Sequence, residues 1–200
     1  MTSLETALRQ ICADLTETGH PFALVGGLAV SARTEPRFTR DADIAVAVAS
    51  DIEAEALIRI LRDAGNEIEA IVEQEAVGRL ATARLRRFPE PTSPVIDLLF
   101  ASSGIEPEVV AAADEIELLP QLRVRVATTA HLIALKILAR DDVTRPQDAG
   151  DLRALLRVAS NVEVARGRAA LTLIAERGYH RGRDLLNELD KLLRAQHESG

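Results

Sequence analysis

Two aspartates one residue apart, Asp41 and Asp43, have the type and spacing to do chemistry. They open the run Asp41 to Val48, whose alternation reads as a β-strand. Alternate strand residues project to one side, so both carboxylates share a face while Ala42, Ile44, Val46 and Val48 take the other and fill core. Like charges side by side repel and call for a cation between them. Hard oxygen ligands suit Mg²⁺, or Mn²⁺ in its place, and Mg²⁺ keeps phosphate oxygens and waters in its shell. Two such ions ~3.5–4 Å apart clamp the attacking and leaving oxygens of a phosphoryl transfer. Taken alone, the same pair is also what a solvated loop entering a strand looks like.

Other features bear on that choice. Gly26-Gly27 follows the apolar run Phe22–Val25 and precedes a helical stretch. Backbone amides there would cradle a nucleotide phosphate, helped by the helix dipole, although a tight turn needing small residues reads the same way. Asp97 sits inside Val95-Ile96-Asp97-Leu98-Leu99-Phe100, where a charge is costly unless it binds metal or is paired, with Arg84 or Arg86 as partner. Lys136 lies in His131–Leu138, a helix apolar on nearly every side, so it must snorkel or find an anion. A triphosphate is one such anion; Asp148 or Asp151 is another. Those two acids are three apart and share a helix face, and the dipole of a first turn would also favour them.

The order of Gly-Gly, about a dozen residues, then Asp-x-Asp on the next strand resembles the signature of the polymerase-β-like nucleotidyltransferases. Gly27 stands where many members carry Ser, so amides must replace the hydroxyl's phosphate contact. GGLAV, RFTRDADIAV, LIALK and RPQDAGDL, in this order, resemble the AbiEii/AbiGii nucleotidyltransferase toxins and their MenT-like mycobacterial relatives over about residues 24–155. The resemblance implies Asp41 and Asp43 as metal ligands, with Asp97 as a candidate third carboxylate. It implies Gly26, Gly27, Thr39, Arg40 and Lys136 around the NTP, and Asp148 or Asp151 as a later acid near the attacking group, with the spacing favouring Asp151. The implied reaction moves NMP from an NTP to an acceptor hydroxyl, the 3′ end of tRNA, and blocks translation. The implied partners are NTP, RNA and a cognate antitoxin. Some relatives are silenced by phosphorylation where Thr39 stands; a phosphate there would set nearly two negative charges beside two carboxylates. A turn-capping hydroxyl is the plainer reading of Thr39.

These residues need elements to hold them. Helices are expected at 2–19, 28–33, 51–64, 106–113, 128–140, 145–158, 162–176 and 182–195, and strands at 22–25, 41–48, 67–73, 80–88, 95–100, 116–119 and 122–126. Thr2 and Glu5 are placed to form a capping box. Strands and helices mix first, then helices alone follow. That order predicts an α+β mixed-sheet nucleotidyltransferase domain over 1–127 and a helical C-terminal bundle over 128–200 that completes the site.

The bulk numbers narrow the rest. With 47% apolar residues but only 2% aromatic, the core must be aliphatic. The lone Cys12 excludes an internal disulfide and a cysteine metal cluster. A net charge of −7 argues against a surface basic all over, yet allows a local basic face. Arg37, Arg40, Arg84, Arg86 and Arg87 are candidate polyanion contacts, and Arg177, Arg181 and Arg183 flank Tyr179, which could stack on a base. His20, His131, His180 and His197 show no metal-ligand spacing. MTSLETALRQ lacks a signal-peptide pattern and no apolar run approaches the ~18 residues of a membrane span, so a cytoplasmic protein is expected. A small-molecule or protein acceptor, or a non-catalytic binding module of the same fold, are the competing readings.

Overall fold

Leu8, Ile11, Cys12 and Leu15 recur at helical spacing, and in the computed structural model they form the buried face of α1 (Ser3–Thr18). The structure describes residues 3–37, 39, 41–87, 94–141 and 146–198. The chain continues with β1 (Phe22–Val25), α2 (Gly26–Arg33), β2 (Asp41–Val46), α3 (Asp51–Asp63), β3 (Asn66–Gln74), β4 (Arg79–Arg87) and β5 (Val95–Leu99). Then come α4 (Glu106–Ala112), β6 (Asp114–Leu119), β7 (Leu122–Val126), α5 (Thr129–Ala139), α6 (Pro146–Val158), α7 (Asn161–Glu176) and α8 (Leu185–Glu198). A mixed sheet followed by helices is the expected α+β architecture.

The seven strands lie in the order β3-β4-β5-β2-β1-β7-β6. β2 runs parallel to β5 and antiparallel to β1, and β7 joins β1 in parallel. The pairs β3–β4, β4–β5 and β6–β7 are antiparallel. β2 is therefore central, and its Ala42, Ile44 and Val46 are buried on the side away from Asp41 and Asp43.

α5 is buried on nearly every side, as its sequence requires: Leu132, Ile133, Ala134 and Ile137 have no exposure. Truncating one of its leucines or isoleucines to Ala would cost about 2–5 kcal/mol. Gly167 lets α7 seat closely on it, since a Cβ there would stand 3.1 Å from the Ala130 carbonyl oxygen. The sheet ends at Val126 and the helices begin at Thr129, but one hydrophobic cluster contains residues of both parts. Cys12 belongs to it, and burial pushes its thiol up to about 12.

Helix starts are set by side-chain caps. Ser50 accepts from the Glu53 amide, Thr128 from the His131 amide, and Ser160 with Glu163 forms a capping box. Several boundaries differ from the sequence expectation: β2 ends at Val46 rather than Val48, β6 begins at Asp114 rather than Ile116, and two helix starts move. α2 begins at Gly26 rather than Leu28, so both glycines lie in its first turn. α8 begins at Leu185 rather than Gly182, because Arg181 and Gly182 hold positive φ and the Asp184 carboxylate accepts the Asn187 amide. Thr2 of the expected capping box lies outside the described residues. No helix among the described residues is long and apolar enough to cross a membrane.

Candidate active site

Backbone register places the acids. Asp43 on β2 stands opposite Val25 of β1 on one side and Asp97 of β5 on the other, and Asp97 stands opposite Arg84 of β4. Val25 leads directly into Gly26, which has φ +62° and whose Cβ, if it had one, would lie 1.8 Å from Asp43 Oδ2. Only glycine satisfies both the conformation and the space. Val25 also offers no side-chain cap to α2, so the first amides of that helix keep their donors for another acceptor.

Gly26, Gly27, Asp41, Asp43, Asp97 and Lys136 all line one cleft of about 750 Å³. Thr39 Oγ1 donates to Asp41 Oδ1 at 2.9 Å. Arg37 leans over Gly27: its Nη2 would lie 2.7 Å from a Cβ there, with Thr39 Oγ1 at 3.2 Å. The sequence suggested amides alone in place of a serine hydroxyl at position 27. The structure puts a guanidinium over that space, because glycine leaves it room. Arg40 lies outside the described residues.

Lys136 finds its anions within the protein. Its Nζ donates to Asp148 Oδ1 at 2.6 Å and lies 2.8 Å from Asp151 Oδ2. Arg37 grips Asp151 from the other side, with Nε 2.6 Å from Oδ1 and Nη2 2.7 Å from Oδ2. Burial pushes the Asp151 carboxyl up, but the Arg37 and Lys136 bonds outweigh it and hold the group below the ordinary carboxylate value. Asp148 is 3% exposed, and its Oδ2 has no partner among the described residues. Charge pairing with Lys136, rather than the helix dipole alone, accounts for both acids on α6.

Asp97 is occupied. Arg84 donates from Nε to Oδ1 and from Nη2 to Oδ2, both at 2.8 Å. That fork, reinforced by the nearby charges of Glu69 and Asp41, raises the Arg84 guanidinium further above its ordinary value. Of the two sequence readings for Asp97, this is the arginine pair, and both carboxylate oxygens are committed to it. Among the described residues no group of three or more His, Cys, Asp or Glu is arranged to hold a metal ion. Asp41 and Asp43 are two hard-oxygen donors that line one cleft. Two carboxylates fit Mg²⁺, which takes the rest of its shell from phosphate and water.

Other sequence candidates are not brought here. Arg86 pairs with Glu69 and Arg87 with Asp14. Arg177 bonds Glu108, and Arg183 bonds Glu188 and the Leu138 and Arg140 carbonyls. Tyr179 is 7% exposed, its ring packed where a Cβ on Gly104 would be, so it is not placed to stack on a base. Only Arg181 of that basic turn lines the cleft. The Arg37–Asp151 clamp was missed as a contact, since its partners are 114 residues apart and no local pattern links them. Ser102 and Ser103 of the cleft wall carried no motif either; they are held by Glu106 Oε1, which takes bonds from both amides and both hydroxyls.

The family model described as the nucleotidyl transferase AbiEii toxin of type IV toxin–antitoxin systems matches residues 6–199. No curated protein matches the chain. Among solved structures, ANT(2″)-Ia in complex with adenylyl-2″-tobramycin is 17% identical at a TM-score of 0.54, covering 88% of this chain and 99% of that one. An antigenic nucleotidyltransferase-like protein from Paracoccidioides brasiliensis is 18% identical at 0.53, covering 94% and 92%. Lincomycin-bound LnuA, a lincosamide antibiotic adenylyltransferase, is 13% identical at 0.50, covering 78% and 98%. At these identities the likeness is one of fold.

Proposed function

Because the chain belongs to the AbiEii family of nucleotidyltransferase toxins, we propose that it transfers NMP from an NTP to the 3′ end of tRNA and so blocks translation. The observation that supports this best is the convergence of Asp41, Asp43 and Lys136, from β2 and α5, on one cleft whose floor is the glycine turn. Asp41 and Asp43 would hold Mg²⁺ or Mn²⁺, which supplies charge neutralisation at the phosphate under attack.

The chain's own residues do the rest. The α2 amides and the Arg37 guanidinium face the phosphate tail. Lys136 has three donors; two go to Asp148 and Asp151, and the third is left for a phosphate oxygen. Asp148 or Asp151 receives the acceptor hydroxyl. Catalysis rests on positioning and electrostatics, with no covalent enzyme intermediate. A cognate antitoxin would act by phosphorylating Thr39, whose hydroxyl touches Asp41.

Induced expression tests the biological reading: wild type arrests growth and Asp41→Ala does not. Labelled NTP offered in turn to total RNA, protein extract and a small-molecule antibiotic identifies the acceptor. Label in protein or antibiotic but not RNA would overturn the tRNA assignment while keeping the transferase.

A further inference from the structure

Asp43, Asp97 and Arg84 stand side by side across β2, β5 and β4, and all three line the cleft. Cross-strand neighbours share a face of the sheet, so the row runs from one of the paired acids to a cation. The Arg84–Asp97 pair is uneven: the Asp97 side chain is 10% exposed and the Arg84 side chain 48%. The fork uses one N–H on Nε and one on Nη2. A guanidinium has donors to spare, and Arg84 Nη1 makes no hydrogen bond with the described residues. Asp41 and Glu69 act on its charge from nearby, but their carboxylates accept from Thr39 and Arg86 instead.

Where this cation lies decides what it meets. Phosphoryl transfer is an in-line displacement, so the attacking oxygen enters opposite the leaving one. The α2 amides and Arg37 face the phosphate tail from the β1 side of β2. The acceptor therefore comes in over the other side, across β5, β4 and β3. The cleft there is floored by Leu99, Thr82 and Val72, with Arg84 beside Asp97 and Arg181 against the Ser102 carbonyl. A cationic floor repels an amine-rich small molecule and attracts a phosphodiester strand. The chain's net charge of −7 gives no general attraction for RNA, so local contacts of this kind must supply it.

Resting on the transferase reading above, we propose that Arg84 binds a backbone phosphate near the 3′ end of the RNA acceptor, and that Asp97 is the positioning residue that holds it there. Asp97 takes one edge of the guanidinium, which leaves Nη1 for a phosphate oxygen. The carboxylate that the sequence offered as a third metal ligand is then spent on gripping the acceptor. The contact reads the charge of the strand and not its bases, so it weakens every RNA alike when lost.

The test titrates fluorescent tRNA with wild type, Arg84→Ala, Arg84→Gln, Arg84→Lys and Asp97→Asn at several KCl concentrations, with NTP Kd, Mn²⁺ affinity and Tm alongside. Arg84→Ala should weaken tRNA binding about 10-fold, the scale of a charged hydrogen bond. The slope of log affinity against log salt should shrink by roughly 0.7–0.9, one phosphate contact, at an unchanged NTP Kd. Arg84→Gln keeps a donor for Asp97 and should give the same loss of slope if the alanine variant fails to fold. Arg84→Lys keeps the charge and should recover the slope. Asp97→Asn should keep Mn²⁺ affinity but lower kcat/KM for RNA, because the guanidinium is no longer held. Wild-type tRNA affinity and slope in Arg84→Gln overturn the proposal, as does a loss confined to NTP binding. Loss of Mn²⁺ binding in Asp97→Asn overturns the positioning role. A wild type that neither binds nor labels RNA is a different failure: it overturns the tRNA assignment and this inference together.

Discussion

Gly26 and Asp43 touch where β1 turns into α2: the Asp43 Oδ2 atom lies 1.8 Å from the place a Cβ of residue 26 would occupy. The glycine turn and the acid pair are therefore one packed unit. Gly26→Ala forces Asp43 aside and also puts a Cβ on a left-handed backbone, at about 1–2 kcal/mol. Transfer should fall by at least ~100-fold, the cost of misplacing a site group by an ångström, and Tm should drop. Gly27→Ala should lose less, because it meets the end of the Arg37 side chain rather than Asp43, but it pushes Nη2 off Asp151 and should weaken NTP binding. A transfer assay with a melting curve on each variant checks the contrast.

Asp151 links the site to acid stability. Its carboxyl is held below the ordinary value of 3.8 by bonds from Arg37 and Lys136 that outweigh burial. A depressed folded value means the stabilisation is present above the unfolded value and is lost as pH falls through the folded one. The Tm gap between wild type and Asp151→Asn should be wide at neutral pH and close below about pH 4. A gap that persists unchanged into acid would contradict this.

Thr39 sits one hydrogen bond from Asp41. Phosphorylation adds close to two negative charges beside two carboxylates. Phosphorylated Thr39, or Thr39→Glu, should lose transfer by roughly 100-fold, while Thr39→Ala keeps most of it. Comparing the three in one transfer assay, with Mn²⁺ affinity alongside, separates charge from loss of the hydroxyl.

Tyr179 supports the fold rather than a base. Tyr179→Ala should cost about 3–5 kcal/mol, as for a buried aromatic ring, whereas Tyr179→Phe should leave RNA labelling unchanged. Denaturant melts and the labelling assay report the two effects.

The fold was legible because period and punctuation agree along the chain. β2 alternates, α5 is apolar all round, and α3 and α7 end at or beside the expected residues. Boundaries slipped where a cap or a positive φ decided them, as at Asp184 for α8. In the site, Asp41, Asp43, Gly26, Gly27 and Lys136 were visible as residue types in unusual settings. What joins them was not. The Gly26–Asp43 contact depends on β1–β2 register, and the Asp97–Arg84 pair on β4–β5 register, which a strand pattern does not reveal. Arg37 was seen only as a cation, since its hold on Asp151 spans the sheet domain and α6. Tyr179 misled because a basic, glycine-containing turn looks exposed, while its ring in fact fills the space beside Gly104.

The central claim is most directly tested by incubating purified protein with NTP labelled at the α-phosphate, Mg²⁺ and total RNA, with Asp41→Ala and a chelator-treated sample alongside. The account predicts label in RNA for wild type, and none above background for Asp41→Ala at an unchanged Tm or after chelation. Labelling by Asp41→Ala at the wild-type level would contradict it.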